Sequence, residues 1–250
     1  MMRLKIYAHQ LLDPLLAIRK RHFYQQQLSH LSDGDYYVPY DIPYVSQFAS
    51  PDKINDYIHN SYDGTTDPNW HLFGAPDATD YAFWCHRVCA LACLKMCIQT
   101  LTEHSPTLWE LVQHGLKYDG YKIYDEKGRM IDEGWYVSAQ IQIANDYGLA
   151  METYSYAPAL AMCKPILDGY PIIVAVSPEI GERKPNWRRY GGHVVLVYGF
   201  EWRKGNLQSL YLHNPSGRYP ELQAKAKIPQ HRFQKLYAHR FSAVKLKASR

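Results

Sequence analysis

The chain has 250 residues, of which 46% are hydrophobic and 21% charged, an ordinary composition for a folded globular protein. A chain of this length can bury one sizeable core, so we expect one domain with insertions. The five cysteines are an odd number crowded mainly onto one segment, which excludes a disulfide framework and indicates reduced thiols in a cytoplasm-like compartment. No uninterrupted apolar stretch resembles a signal peptide, and none reaches the roughly 20 residues of a membrane span.

The net charge of +4 is unevenly placed. Eight Lys or Arg residues and no acid lie between Ala224 and Arg250, so the remaining residues sum to −4. Such a segment suits either an anionic partner, nucleic acid or a lipid surface, or a solvated last strand. Because basic and apolar residues alternate in RFSAVKLK, we favour the strand and expect no nucleic-acid partner.

The first 37 residues are predicted to be an N-terminal extension packed on the domain. Their second half, from Pro14, has the spacing of an amphipathic helix. Residues 38–48 follow as an extended run, because a residue that precedes proline is pushed towards extended conformations. The domain itself is therefore expected to span residues 38–250.

Residues 49–80 are predicted to form an insertion loop with one short helix near Ile54–His59. Turn-forming residues are frequent there, and six aspartates occur among them. Their spacing does not match an EF-hand loop, so a solvated insertion is a better interpretation than a calcium site. Because the insertion leads directly into the most apolar segment of the chain, it is expected to border the functional face of that segment.

The segment from Trp84 to Leu101 contains this most apolar run. From Cys89 onward only Lys95 and Gln99 interrupt it, and both fall on one narrow stripe of a helix. A helix that is apolar on nearly every side belongs in a domain core. Cys89 is predicted to be its first residue, where unpaired backbone N–H groups lower the pKa of a thiol. Cysteines recur at every fourth position, but no Cys-x-x-Cys pair is present, so we expect no metal site.

Two more helices are predicted before the sheet. Thr107 and Glu110 have the spacing of a capping box, which opens one helix. The run Ser138–Tyr147 forms the next helix, which Gly148 ends. The polar stretch 119–133 between them is interpreted as an irregular connection.

Strand patterns dominate the last part of the chain. Apolar residues there alternate with polar ones or form short continuous runs, and turn residues separate the runs. Helices first and strands afterwards predict an α+β fold, with helices packed on an antiparallel sheet. The expected strands are residues 151–156, 170–177, 193–202, 207–215 and 239–247, with a short helix within 158–169.

The run CALACLKM over residues 89–96 also carries a family resemblance. It is similar to Cys-Gly-x-Ala-x-x-x-Met, the nucleophile helix of C39-like, papain-like cysteine peptidases, with Ala90 in place of the usual glycine. A cysteine among apolar neighbours is, taken alone, more often an inert core residue. The resemblance instead implies that Cys89 is a thiolate nucleophile.

A second and a third motif lie in the predicted sheet. The run GHVVLVYG over residues 192–199 is similar to Gly-His-x-Val-x-Val-x-Gly, which carries the general-base histidine of these peptidases. Asn214 follows the next strand, where the family has aspartate before proline, and an amide oxygen can also orient an imidazole. The resemblance therefore implies a triad of Cys89, His193 and Asn214.

A fourth motif concerns the oxyanion. These peptidases usually have a glutamine about six residues before the nucleophile, where this chain has Phe83. In the family, the run that leads to this glutamine is similar to Val-Pro-Tyr-x-x-Gln, and Pro43 to Gln47 match it. We therefore expect Gln47 to stabilise the oxyanion, with residues 49–80 inserted between Gln47 and the helix of Cys89. Cys85 is a rival nucleophile one turn before Cys89, although no buried helix directly follows it.

The resemblance covers residues 38–217. It implies a papain-like α+β fold and a cysteine peptidase that cleaves a peptide or protein substrate without a cofactor. Two alternatives stay open. The same chemistry supports acyl transfer to an amine, and the departures at Ala90, Gln47 and Asn214 also suit an inactive, peptide-binding relative.

Overall fold

The computed structural model describes residues 2–248, with side chains from residue 10 onward. Its helices are α1 (Met2–Gln27), α2 (Ile54–His59), α3 (Ala78–Trp84), α4 (Cys89–Leu101), α5 (Leu108–Lys117), α6 (Val137–Asp146), α7 (Cys163–Leu167) and α8 (Gln230–Leu236). Its strands are β1 (Gly34–Tyr37), β2 (Tyr121–Glu126), β3 (Arg129–Trp135), β4 (Leu149–Ser155), β5 (Ile172–Val176), β6 (His193–Arg203), β7 (Asn206–His213), β8 (Ala226–Pro229) and β9 (Tyr237–Leu246).

One antiparallel sheet contains seven of these strands in the order β4-β9-β5-β6-β7-β8, with β1 also paired to β6. The first half of β6 pairs with β5 and its second half with β1, while β7 lies along the other side. Because β6 and β7 are antiparallel, the start of β6 lies beside the end of β7. This topology brings His193, the first residue of β6, close to Asn214, which follows β7.

The helix α4 lies at the centre of the core. It packs on β5, β6 and β9 on one side and on α5 and α6 on the other. Nine of its 13 residues are buried. The prediction of a buried helix that begins at Cys89 is confirmed, and so is the α+β fold class with helices packed on an antiparallel sheet.

Local signals in the sequence set several helix ends. The capping box forms as predicted, because Thr107 Oγ1 accepts from the Glu110 N–H at 3.1 Å while Glu110 Oε2 accepts from the Thr107 N–H at 2.6 Å. Gly148, with φ +72°, follows α6, and Gly169, with φ +85°, follows α7. Both glycines supply the left-handed conformation that ends a helix without steric cost.

The stretch 119–133 is not an irregular connection, as the sequence analysis had it. Its residues form most of the hairpin β2–β3, in which Lys127 and Gly128 make a two-residue turn. Both turn residues have positive φ, 56° and 76°, as a type I′ turn requires. Most side chains on the two strands are exposed, so the sequence lacks the apolar alternation by which strands are recognised.

Three helices also differ from the prediction. The helix α3 is not predicted. The N-terminal helix α1 begins at residue 2, and Pro14 lies inside it although a proline removes one helical hydrogen bond. The helix α8 is not predicted, because only Phe233 and Leu236 in its seven residues are buried and so short a run has no helical period. Within the described residues, no single helix is long and apolar enough to cross a membrane; only α3 and α4 together reach the required length and composition, across a bend of 97°.

A buried carboxylate anchors the insertion 49–80. Asp67 is 1% exposed. Burial alone would raise the pKa of Asp67, but its hydrogen bonds hold that pKa below the ordinary value. The helix Ile54–His59 is confirmed, whereas the expectation of a solvated insertion is wrong at Asp67. The hydrogen-bond donors to the Asp67 carboxylate are Ser50 Oγ and Tyr57 OH at 2.6 Å, the Asn69 N–H at 2.9 Å and Tyr81 OH at 3.1 Å.

We expect Asp67→Asn to lower the free energy of unfolding by about 2 to 4 kcal/mol. The substitution places an amide N–H₂ group among hydroxyl groups that are arranged as donors. Urea unfolding followed by circular dichroism measures the change, with the exposed Asp52→Asn as the matched control. Equal urea midpoints for the two variants would show that Asp67 is not an anchor.

Candidate active site

The five cysteines all lie within the described residues and differ in exposure. Four are buried, and Cys89 alone is half-buried, at the first position of α4. The preceding Val88 occupies the N-cap position and offers no side-chain acceptor to the helix. The first N–H groups of a helix have no intrahelical partner, so backbone donors remain beside an accessible sulfur.

The start of α4 lies over the start of β6. The N–H of Val194 is a hydrogen-bond donor to the Cys89 sulfur. One turn further along the helix, the Cys93 thiol donates to the Val194 carbonyl at 3.8 Å. Because Val194 directly follows His193, two packed elements bring Cys89 and His193 to the same end of the sheet.

Asn214 orients the imidazole of His193. Its Oδ1 lies 2.8 Å from His193 Nε2 and also accepts from the Ser216 N–H at 3.2 Å. The Ser216 donor identifies the oxygen of the amide, and an amide oxygen only accepts. His193 Nε2 therefore carries the proton, and Nδ1 keeps the lone pair that a general base needs.

Burial controls the charges of the site. The side chain of His193 is 6% exposed. Burial lowers the pKa of His193 to about 4, although the hydrogen bond to Asn214 acts to raise it. The charges of Arg218 and Arg189 lower this pKa further. Burial raises the pKa of the Cys89 thiol, although the backbone N–H groups of Val194, Ala90 and Cys89 itself oppose the change.

The expectation that the helix N-terminus makes Cys89 a thiolate is therefore wrong, because the loss of solvent outweighs the backbone donors. Over the neutral pH range the site holds a thiol and a neutral imidazole. A nucleophilic attack by Cys89 then requires that the thiol proton move to the imidazole during the reaction.

The two polar residues before Cys89 do not activate it. The Arg87 guanidinium lies 4.1 Å over the Phe83 ring, and its Nε is 3.0 Å from Asp132 Oδ2. His86 packs edge-on against the Phe48 ring, with ring centroids 5.2 Å apart. Neither side chain is placed to favour a thiolate at Cys89, because Arg87 faces the hairpin and His86 faces the insertion.

Cys85 is unsuited to the role of nucleophile. It is fully buried at the end of α3, and its thiol donates to the Ala82 carbonyl at 3.4 Å. Burial raises the pKa of Cys85 to about 12, and the nearby Asp67 carboxylate adds to that effect. The thiolate form is therefore negligible near neutral pH.

Gln47 lies between the turn after β7 and the end of α3. Its backbone N–H donates to the Pro215 carbonyl at 3.0 Å, and its Nε2 donates to the Cys85 carbonyl at 2.8 Å. Its side chain is 4% exposed, and Oε1 has no hydrogen-bond partner among the described residues. Gln47 is thus held beside the turn that carries Asn214 and beside Cys85.

The model of a family described as "Peptidase_C39 like family" matches residues 40–242. The chain belongs to this family. Its membership confirms the resemblance and supports a peptidase-type function. No curated protein matches the chain. Among the described residues, no group of three or more His, Cys, Asp or Glu side chains is placed to hold a metal ion.

Three solved structures similar to this C39-like chain illustrate how distant its relatives are. A double glycine motif protease from an AMS/PCAT transporter, in complex with its leader peptide, is 18% identical with a TM-score of 0.39, over 64% of this chain and 84% of that one. A C39-like peptidase from Bacillus anthracis is 14% identical with a TM-score of 0.44, over 65% and 90%. The peptidase domain of Streptococcus ComA, a bi-functional ABC transporter, is 14% identical with a TM-score of 0.40, over 64% and 93%.

The C39-like site contains two residues that the sequence analysis missed. Ser216 is 3% exposed, and its Oγ lies 3.3 Å from His193 Nε2. The buried Arg218 donates from Nη1 to the Ser216 carbonyl at 3.0 Å and to the Pro178 carbonyl at 2.8 Å. Both therefore hold the turn that carries Asn214. No pattern in the sequence points to either residue.

The buried Arg218 also connects this turn to the insertion of the C39-like chain. Its Nε lies 2.9 Å from Glu182 Oε1, and the same carboxylate oxygen lies 2.9 Å from His59 Nε2. The helix α2, which contains His59, belongs to the insertion. Glu182 therefore links the insertion to the support of the Asn214 turn.

The low pKa of His193 predicts that this C39-like protein loses stability in mild acid. Below pH 6.5 the unfolded chain binds a proton at this histidine, whereas the folded chain does not until about pH 4. We expect the free energy of unfolding to fall by about 2 kcal/mol between pH 7 and pH 5 through this group alone.

Urea unfolding of wild type and His193→Gln at the two pH values isolates this contribution. The wild type should lose about 2 kcal/mol more than the variant. An identical loss in both proteins would mean that His193 titrates normally in the folded state.

Proposed function

We propose that this chain is a cysteine peptidase that hydrolyses peptide bonds through an acyl-enzyme on Cys89. The hydrogen bond of 2.8 Å between His193 Nε2 and Asn214 Oδ1 carries the proposal, because it leaves Nδ1 as a base at the strand start that faces the Cys89 sulfur. A nucleophile, a base and a group that orients the base are what acyl transfer requires.

In the acylation step, Cys89 Sγ attacks the peptide carbonyl carbon while its proton passes to His193 Nδ1. The carbonyl oxygen becomes an oxyanion. When the intermediate collapses, the C–N bond breaks and His193 returns the proton to the leaving amine. Water then attacks the thioester carbon while His193 accepts its proton. The C–S bond breaks, and His193 returns the proton to Cys89 Sγ, so that the carboxylic acid is released and the thiol is restored.

Gln47 and the Cys89 backbone N–H are proposed to stabilise the oxyanion. The Gln47 amide nitrogen has two N–H bonds, and one donates to the Cys85 carbonyl at 2.8 Å. The backbone bond to Pro215 holds this residue beside the turn that carries Asn214. The second N–H is then available to an oxyanion near the start of α4, where Val88 leaves the helix uncapped by a side chain.

The function is tested by incubating the purified full chain with a diverse peptide library and identifying products by mass spectrometry. Hydrolysis gives fragments with free carboxyl termini, and added glycinamide should leave most of them unchanged. Products that carry glycinamide in most fragments would favour acyl transfer instead. No product at all, with peptides still bound, would favour the inactive peptide-binding alternative.

Replacement of Asn214 is expected to lower the activity only in part, by an amount that depends on the new side chain. Asn214→Ala should lower kcat/KM by roughly 10- to 100-fold, because the imidazole loses its orientation. Asn214→Asp should keep more activity and shift the acidic limb of kcat/KM to higher pH, because a carboxylate beside the imidazole raises the pKa of His193.

The pH profile of kcat/KM for the two variants and wild type separates these effects. Asn206→Asp, at the exposed first residue of β7, is the matched control for a new carboxylate. Coincident acidic limbs for Asn214→Asp and wild type would contradict the role assigned to Asn214.

A further inference from the structure

The helix α1 exposes a large apolar surface that the proposed active site does not use. Six large apolar side chains between residues 11 and 23 are 38% to 70% exposed. Contiguous exposed apolar surface of this kind on a folded chain marks a place of interaction. The six residues are Leu11, Leu12, Leu15, Leu16, Ile18 and Phe23.

These side chains share one side of the helix. The opposite side of α1 packs on β9 and on the 3-10 turn at Ala159–Met162, where Asp13 and Ala17 are buried. Asp13 Oδ2 accepts from Tyr190 OH at 2.7 Å, which fixes the rotation of the helix. At 100° per residue, the exposed apolar residues then spread over the side turned away from the sheet.

Charge distinguishes between the partners that could cover this side. Residues 2–27 contain five Lys or Arg and a single acid, Asp13, which is buried. Three of the bases, Arg19, Lys20 and Arg21, are exposed directly after the apolar turns. Arg19 lies on the apolar side, Lys20 at its border donates from Nζ to the Ser155 carbonyl at 3.3 Å, and Arg21 follows Ala17 on the side that faces the sheet. A second copy of the chain would oppose these bases with bases, whereas an anionic surface complements them.

We propose that this face of α1 docks the protein on a membrane surface that contains anionic phospholipid. Helices that bind a bilayer in its interfacial plane combine exposed Leu and Phe with Lys and Arg. The turns over residues 11–18 would enter the headgroup boundary, and Arg19 and Lys20 would contact lipid phosphates, each base contributing to the attraction. The inference does not depend on peptidase activity.

The segment next to α1 has the same character. Tyr190, which binds Asp13, ends a run that includes Arg188, Arg189 and Trp187, and Trp187 is 44% exposed. Tryptophan and arginine are both favoured at the membrane interface.

Co-sedimentation of the full chain with vesicles tests the proposal. Vesicles of phosphatidylcholine with about a quarter phosphatidylglycerol should bind the protein, pure phosphatidylcholine should bind it at least about tenfold more weakly, and high salt should release it. The variant Leu11→Ser/Leu15→Ser should bind the anionic vesicles at least about tenfold more weakly than wild type. The exposed pair Leu72→Ser/Met130→Ser is the matched control and should bind like wild type.

The double variant Arg19→Gln/Lys20→Gln keeps the apolar surface and gives a second test if the serine variant does not fold, as judged by circular dichroism. It should also lose most of the binding to anionic vesicles. Wild type that stays in the supernatant with these vesicles would overturn the proposal. So would a dimer in sedimentation that Leu11→Ser/Leu15→Ser converts to monomer, because the face would then pair two copies of the chain.

Discussion

Cys89→Ala is expected to lower kcat/KM for peptide hydrolysis by at least about 10⁴-fold. Removal of the nucleophile leaves only substrate binding and the oxyanion donors, which account for a minor part of the rate enhancement of such enzymes. Initial rates on a peptide that the wild type cleaves measure the effect. Circular dichroism should be unchanged, because a half-buried thiol at a helix start contributes little to the core.

The matched control is Cys163→Ala, which removes a buried thiol in α7. Its expected cost is a small loss of stability and little loss of activity. If Cys89→Ala cleaves peptides at the rate of Cys163→Ala, the nucleophile is a different residue and the acyl-enzyme mechanism fails.

His193→Gln is expected to lower kcat/KM by about 10³-fold or more, because no other group is assigned to take the thiol proton. In the proposed mechanism the base is the neutral imidazole of His193. Since burial lowers the pKa of His193 to about 4, activity should rise as the pH increases through about 4, and not through the ordinary value near 6.5. Rates from pH 3.5 to 8 measure both effects.

His239→Gln provides the control for a buried histidine elsewhere in the sheet. Its imidazole is 2% exposed, and burial lowers its pKa as well. This variant should keep the acidic limb of the wild type. An acidic limb near pH 6.5 in wild type, or equal losses of activity in the two variants, would contradict the assignment of His193 as the base.

The sequence predicts those parts of the fold that local physics determines. The apolar run after Cys89 can only be accommodated as a buried helix, and Thr107 with Glu110 caps the next helix by short-range hydrogen bonds. The strand that starts at His193 is continuously apolar because both faces of the sheet are covered there. These features need no knowledge of distant contacts.

What the sequence does not predict depends on distant partners or on burial. The hairpin β2–β3 has an exposed surface and so no apolar period. The sequence predicts a solvated Asp67, because it does not show that the hydroxyl groups of Tyr57 and Tyr81 surround this carboxylate in the fold. Arg218 acts on the Asn214 turn only through carbonyls that the fold brings to it.

The protonation states of Cys89 and His193 are the clearest example of a property that the sequence does not predict. The position of Cys89 at a helix N-terminus is visible in the sequence and favours a thiolate. The burial that raises its pKa, and that lowers the pKa of His193, comes from the packing of α4 on β6. Two opposing effects act on one thiol, and only the structure gives their relative size.

The central claim, that His193 serves as the base for Cys89, is tested most directly by the rate at which iodoacetamide alkylates Cys89 from pH 4 to 9. Peptide mapping of all five cysteines follows each thiol separately. In wild type, the Cys89 rate should rise through about pH 4 and then stay level to about pH 8, because the neutral imidazole accepts the thiol proton throughout this range. In His193→Ala the plateau should vanish, and the rate should climb about tenfold per pH unit with the raised pKa of the thiol. The same tenfold climb in wild type would mean that the imidazole and the thiol do not act together, and the proposed mechanism would be wrong.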